Sequence, residues 1–251
     1  MDFSLLGIQF GKTQTFRKGA EAGPDYLRAA FPKLETFVSG IDLSEQAFIK
    51  DLGNISGETL DELKVKVASK LTIQRGFPII LGGEHTITIS AVENIRPQNL
   101  VVFDAHPDCE DSGGHDGFLR SLIENRIVSA KNVFLFGVRA MSAEENKFLK
   151  ENKIKIITMP SDLKKIKGPT YLSIDFDVLA PSTMLSVGNP EPGGRGFHEI
   201  LYAIEMLSKK LIAADFVEFT PLGLPELDEI YASIAGKLIY GAMAEIIKSK
   251  K

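Results

Sequence analysis

Three short runs place ionisable residues directly after apolar ones. Residues 99–108 read N-L-V-V-F-D-A-H-P-D, residues 171–177 read Y-L-S-I-D-F-D, and residues 79–85 read I-I-L-G-G-E-H. Asp104, His106 and Asp108 stand at alternate positions, as do Asp175 and Asp177. In an extended chain, side chains two apart share a face. Each set would therefore line one side, provided the strand geometry persists as far as Asp108. Burying a carboxylate costs on the order of several kcal/mol unless a cation pairs with it, and neighbouring carboxylates repel. Four aspartates and two histidines, His85 and His106, make a mixed O/N donor set suited to hard or borderline divalent metals. Two metals fit that count better than one, because paired ions about 3.5–4 Å apart share bridging carboxylates. Taken singly, the aspartates read as turn or capping residues and His85 as an ordinary hydrogen-bonded histidine. Their coincidence at three strand ends, in a chain with only four histidines, points to a metal centre.

The elements that would hold these residues alternate along the chain. Strands are expected at Ser4–Phe10, Pro78–Leu81, Asn99–Phe103, Asn132–Val138, Ile154–Thr158, Thr170–Ile174 and Leu211–Phe219, with a weaker one near Ala47–Lys50. Gly23-Pro24 opens a helix with proline in its first turn. Thr59–Gln74 carries apolar residues at Leu60, Leu63, Val67 and Leu71, a helical spacing, and Phe197–Lys209 and Leu227–Lys248 are long and amphipathic. Alternation of this kind predicts an α/β fold in three layers, a mainly parallel sheet between helices, as one domain over residues 1–251. The longest irregular stretch is 180–196, with three prolines and four glycines. Long loops in compact domains are often functional, and sites in parallel sheets lie beyond the carboxyl ends of the strands.

The chain has 251 residues, 44% hydrophobic and 25% charged, with a net charge of −4. Without a basic excess, nucleic acid is not an expected partner. The longest apolar runs are strand-sized, so no membrane span is expected. The first ten residues lack the charged region and cleavage pattern of a signal peptide. The single cysteine, Cys109, excludes an internal disulfide and a cysteine-rich zinc site. A cytoplasmic protein is the expectation.

The ordered motifs resemble those of the ureohydrolases, the arginase/agmatinase family, over nearly the whole chain, and most nearly those of an agmatinase. K-G-A-E-A-G-P-D-Y-L-R resembles the family's Gly-x-x-x-Gly-Pro-x-x-(Ile/Leu)-Arg segment. G-G-E-H-T, D-A-H-P-D and S-I-D-F-D resemble its three metal motifs, and P-E-P-G-G and V-E-F-T-P two further signatures. The resemblance implies an arginase-like fold and two manganese ions per subunit. His85, Asp104, Asp108 and Asp175 would hold one ion, and His106, Asp104, Asp175 and Asp177 the other, with Asp104 and Asp175 bridging. It also implies a homo-oligomer, trimer or hexamer.

The implied reaction is hydrolysis of a guanidinium compound to urea and an amine by a hydroxide bridging the two ions. Four carboxylates cancel two divalent ions, and the hydroxide leaves one negative charge. Glu218 would add another and help to position the guanidinium, which stays protonated because its pKa exceeds about 12. Read from the residues alone, Glu218 is equally a strand-end carboxylate capping a helix. Asp108 would accept a hydrogen bond from the hydroxide. His115, in G-G-H-D-G, matches the family's loop histidine and would relay a proton to the leaving amine. On its own it reads as a solvent-exposed loop residue.

Arginases carry Asn two residues after the last Asp of the D-A-H motif, where it helps to bind the substrate carboxylate. Here that position is Glu110, in a loop with Asp111 and Asp116. A carboxylate there would repel an amino-acid carboxylate. It favours a cationic or neutral tail, with agmatine first and arginine, guanidinobutyrate and formimidoylglutamate as alternatives. The acids equally suit a solvated loop with no ligand role. Three departures from the family stand out: Ala180 in place of the usual Asp before Pro181, L-S-V-G-N at 185–189, and Q-F-G at 9–11. A two-metal phosphoesterase would need cationic groups, for which Arg139 and Arg195 are the candidates, and Glu84 and Glu218 would oppose it. A non-catalytic, metal-dependent guanidinium- or polyamine-binding protein is the remaining reading.

Overall fold

The computed structural model describes residues 1–72 and 76–251. Strand β1 (Asp2–Gln9) leads through a long loop to helix α1 (Gly23–Ala30), then a hairpin of β2 (Phe37–Val38) and β3 (Ile41–Asp42), and the short α2 (Leu43–Gln46). Next come β4 (Phe48–Ser56), α3 (Leu60–Thr72), β5 (Phe77–Gly82), α4 (Ile87–Ile95) and β6 (Asn99–Phe103). After α5 (Phe118–Glu124), β7 (Val133–Phe136), α6 (Ala143–Asn152), β8 (Lys155–Ile157) and β9 (Thr170–Asp175), the chain closes with α7 (Phe197–Leu207), β10 (Leu211–Val217) and α8 (Pro225–Lys250).

Among the described residues, eight strands form one sheet in the order β4-β1-β5-β10-β9-β6-β7-β8, and every pairing in it is parallel. Successive strand residues feed opposite faces. Val101, Phe103, Leu172, Ile174, Ala214 and Phe216 pack with α1, α7 and α8. Leu100, Val102, Tyr171, Ala213 and Val217 pack with α3, α4, α5 and α6. The three-layer α/β/α expectation holds. Four strands adjacent at the centre, β5, β10, β9 and β6, are the ones whose carboxyl ends carry the motifs.

Several boundaries differ from the sequence expectation. The weak strand near 47–50 is the nine-residue β4, mostly exposed at the sheet edge and so without an apolar signature. The helix expected over Thr59–Gln74 is described as Leu60–Thr72, and Gln74 lies outside the described residues. The helix α4 was not anticipated. It is buried through Val92, so no polar stripe marks its period. The helix α8 has an 18-residue window of mean hydropathy 1.3, enough by length and composition to cross a membrane, but 72% of that window is buried within the fold.

Candidate metal centre

Strand geometry does not persist to Asp108. β6 ends at Phe103 and β9 at Asp175, and tight turns follow. Asp104 Oδ1 accepts the His106 amide at 2.6 Å, and Asp175 Oδ1 accepts the Asp177 amide at 2.8 Å. Each is an aspartate hydrogen-bonding the backbone two residues on. Asp108 sits in the left-handed region at φ 50. The turns, rather than strand alternation, divide the motif between two clusters.

The first cluster holds His85, Asp104, Asp108 and Asp175, and the second Asp104, His106 and Asp177. His85 Nδ1 lies 3.1 Å from Asp104 Oδ2, 3.1 Å from Asp108 Oδ2 and 3.5 Å from Asp175 Oδ2. His106 Nδ1 lies 2.9 Å from Asp177 Oδ2 and 3.6 Å from Asp104 Oδ1. Asp104 therefore faces both clusters, as expected of a bridge. Asp175 falls in the first cluster alone. His85 Nδ1 and Asp104 Oδ2 are buried and make no hydrogen bond despite their separation. Lone pairs converging on one point without hydrogen bonds are what a cation requires, so the residues fit a metal.

Without a cation, protons must do the neutralising. Burial opposes the imidazolium of His106, but Asp104 and Asp177 prevail and push its pKa up to about 12. Burial likewise opposes that of His85, and the three surrounding carboxylates raise it. Burial and the charge of Asp104 lift Asp108 to about 7, and burial with the neighbouring aspartates raises Asp175 and Asp177. In all of these the metal-free fold binds more protons than the unfolded chain. Its stability therefore falls as pH rises, through the Asp108 window between about 4 and 7 and, for His106, from about 6.5 upward. Metal ligands must give up those protons, so saturation with metal removes these contributions. Metal-free protein is expected to lose melting temperature between pH 5.5 and 8.5. With saturating manganese(II), calorimetry should show the loss removed or reversed.

Beside the clusters lies a cavity of about 200 Å³, lined by Gln14, Arg17, His106, Asp108, Glu110, His115, Asp116, Glu145, Asp175, Asp177, Gly188, Asn189 and Glu218 among others. That volume is below what drug-sized ligands occupy. Arg17 is the one Lys or Arg in the lining. Its guanidinium is spent on the carbonyls of Leu185, Val187 and Pro221. The surface is acidic.

Glu218 follows β10 at φ 64 and is 6% exposed. Its Oε1 accepts the His85 amide at 2.8 Å, just before α4, and its Oε2 accepts the Gln14 amide group at 3.2 Å. Glu218 thus holds the turn that leads into α4 and also lines the cavity, without capping the helix itself. Burial raises its pKa to about 8. His115 Nδ1 lies 3.8 Å from Glu218 Oε1, and its Nε2 lies 3.2 Å from the Thr15 amide and 3.1 Å from the Thr15 hydroxyl. A main-chain N–H only donates, so Nε2 bears the lone pair and Nδ1 the hydrogen. Burial lowers the His115 pKa and so favours this neutral form.

Glu110 and Asp116 line the cavity, whereas Asp111 lies 3.6 Å from Arg120, outside it. The Cys109 thiol is buried, 3.9 Å from the Glu145 carbonyl, and burial raises its pKa. Neither arginine of the phosphoesterase reading is free. Arg139 binds the carbonyls of Asp177, Glu191 and Pro192, and Arg195 pairs with Glu199 over the Phe136 ring. Despite Ala180, main-chain hydrogen bonds hold the 180–196 loop: the Ala180 amide donates to the Arg195 carbonyl, and the Ala180 carbonyl accepts from the Thr183 and Met184 amides.

Sequence reading missed Gln14, Thr13, Thr15, Glu84 and Glu145 as site residues. Glu84 is fully buried and accepts from the Thr13 amide and hydroxyl and from Thr86, and Thr13 in turn accepts from the His115 amide. Glu145 completes a capping box with Ser142 at the start of α6 while accepting the Cys109 amide, next to Asp108. Its signal, S-x-x-E before an apolar pair, stands in the sequence. The signals for Gln14, Thr13 and Thr15 do not.

The arginase family model matches residues 1–244. The chain is 33% identical to N(1)-aminopropylagmatine ureohydrolase of Thermococcus kodakarensis over 97% of its own length and 91% of the relative's. It is 32% identical to an agmatinase of Pyrococcus horikoshii over 86% and 82%. The structure of the agmatine ureohydrolase of Thermoplasma volcanium superposes with a TM-score of 0.86 at 29% identity, covering 99% of this chain and 90% of that one. Fold, cluster and sequence agree: the chain belongs to the arginase family and is a ureohydrolase with a buried His/Asp metal site.

Proposed function

We propose that this protein hydrolyses agmatine to putrescine and urea, with two manganese ions per subunit held by the six His and Asp residues. The observation that carries the reading is a small acidic cavity joining two carboxylate–imidazole clusters to a buried glutamate. When bound, the two ions would lower the pKa of a water shared between them and supply a nucleophile at neutral pH. Four of the six donor residues are aspartates, which favours manganese over zinc.

The chain's own residues do the rest. Glu218, fixed by the His85 amide and Gln14, receives the guanidinium and orients its carbon. The cationic substrate favours the ionised form of Glu218. Asp108 lines the cavity and accepts a hydrogen bond from the nucleophile. His115 donates from Nδ1 to the leaving amine while the solvent-exposed Thr15 hydroxyl passes a proton from bulk water to Nε2, so that both His115 and Thr15 end neutral. Glu110 and Asp116 face the substrate tail and favour an ammonium over a carboxylate. A cytoplasmic homo-oligomer completes the proposal.

Two measurements test it. Manganese-loaded protein incubated with agmatine is expected to yield urea and putrescine in equal amounts, and no product from agmatine contradicts the reading. Replacing Glu110 with Asn is expected to shrink the kcat/KM preference for agmatine over arginine about tenfold, roughly 1.4 kcal/mol. An unchanged ratio would remove Glu110 from the tail site.

A further inference from the structure

Asp215 is a buried charge that the proposed reaction does not use. It lies in the middle of β10 with no exposed surface, on the sheet face packed with α3–α6. Ser173 is its partner across the ladder on β9, with Tyr171 two residues earlier on the same face. A carboxylate in such a place is costly unless it is fully hydrogen-bonded. Yet its Oδ1 has no partner, and only Oδ2 is served, by the Tyr171 hydroxyl at 2.7 Å and the Thr88 hydroxyl at 2.8 Å.

Counting hydrogens allows the remaining bonds one continuous direction that ends on Asp215. A hydroxyl has one hydrogen to donate. Thr88 gives its hydrogen to Asp215, so towards Ser173 Oγ, 3.4 Å away, it can only accept. When Ser173 donates its hydrogen to that Thr88 acceptor, it can only accept towards His85 Nε2, 2.9 Å away. In this direction of the relay His85 Nε2 carries a hydrogen. In the neutral ring the bare nitrogen is then Nδ1, the one that faces Asp104, Asp108 and Asp175.

We propose that Asp215 is a positioning residue for the metal centre: through Thr88 and Ser173 it fixes the His85 tautomer that can ligate a metal. Second-sphere partners of this kind are worth about 10- to 100-fold in metal affinity. The inference concerns metal binding alone and stands whichever guanidinium compound is the substrate.

Asp215→Val removes the acceptor at the end of the relay. Thr88 can then donate to Ser173 and Ser173 to His85 Nε2, which moves the ring hydrogen to Nδ1. Asp215→Asn keeps a carbonyl acceptor for Thr88 and so keeps the direction. Tyr171→Phe removes a hydrogen bond to Asp215 but leaves the relay whole, and serves as the packing control. Each variant, confirmed folded by circular dichroism, would be titrated with manganese(II) by calorimetry. Asp215→Val is expected to weaken one of the two binding events about 10- to 100-fold, with Asp215→Asn and Tyr171→Phe close to the parent. If Asp215→Val does not fold, Ser173→Ala removes the acceptor for His85 Nε2 directly and should give the same one-site loss. Parent-like binding in the variant read, or an equal loss in Tyr171→Phe, would overturn the proposal.

Discussion

Asp104→Ala is expected to abolish metal-dependent activity while leaving a folded protein. Asp104 faces both clusters, and the Asp104 carboxylate is fully buried between His85 and His106. Its removal takes a donor from each cluster at once. It also removes a charge that repels Asp108 and Asp177 in the metal-free state, so the fold itself should survive. The diagnostic is the response to metal. Ligand at about 100 times its Kd stabilises a native protein by about 2.7 kcal/mol. For a chain of this size that is about 5–10 °C of melting temperature per ion. The parent should show this shift with manganese(II) and Asp104→Ala should not, together with at least a thousandfold loss of turnover, equivalent to about 4 kcal/mol. A variant that keeps the full thermal shift would show that Asp104 does not bridge.

Glu218→Gln is expected to separate substrate binding from metal binding. The change keeps the shape and one acceptor oxygen but removes the negative charge proposed to hold the guanidinium. Truncating one partner of a buried charged pair costs about 2–4 kcal/mol, so kcat/KM for agmatine should fall roughly 30- to 1000-fold. The manganese-induced thermal shift should stay as in the parent, because Glu218 belongs to neither cluster. Unchanged kcat/KM would return Glu218 to its other role, holding the turn into α4 through the His85 amide.

The strand ends were legible because a parallel sheet buried on both faces demands unbroken apolar runs, and acids closing such runs stand out. What followed the strands was not. The 104–108 segment reads as alternation but folds as turns, since Asp104 and Asp175 each capture an amide two residues on. The supporting residues come from far away in sequence. Gln14 meets Glu218 across 204 residues, and Thr13 meets the His115 amide across 102. No local pattern announces a polar residue whose partner is so remote. In sequence Asp215 is one more acid within an apolar run. Only the register that sets it beside Ser173, and the placement of Thr88, give it a relay to complete.

The central claim is metal-supported hydrolysis of a guanidinium group on a substrate with a cationic tail. Its most direct test is the initial rate of urea release by manganese-loaded protein on agmatine, arginine and guanidinobutyrate, with formamide release measured for formimidoylglutamate. The account predicts rapid urea from agmatine, slower release from the carboxylate-bearing substrates, and none from agmatine with Asp177→Ala. A faster reaction with arginine would contradict the acidic-tail argument, and silence on all four with two ions bound would contradict the hydrolytic claim itself.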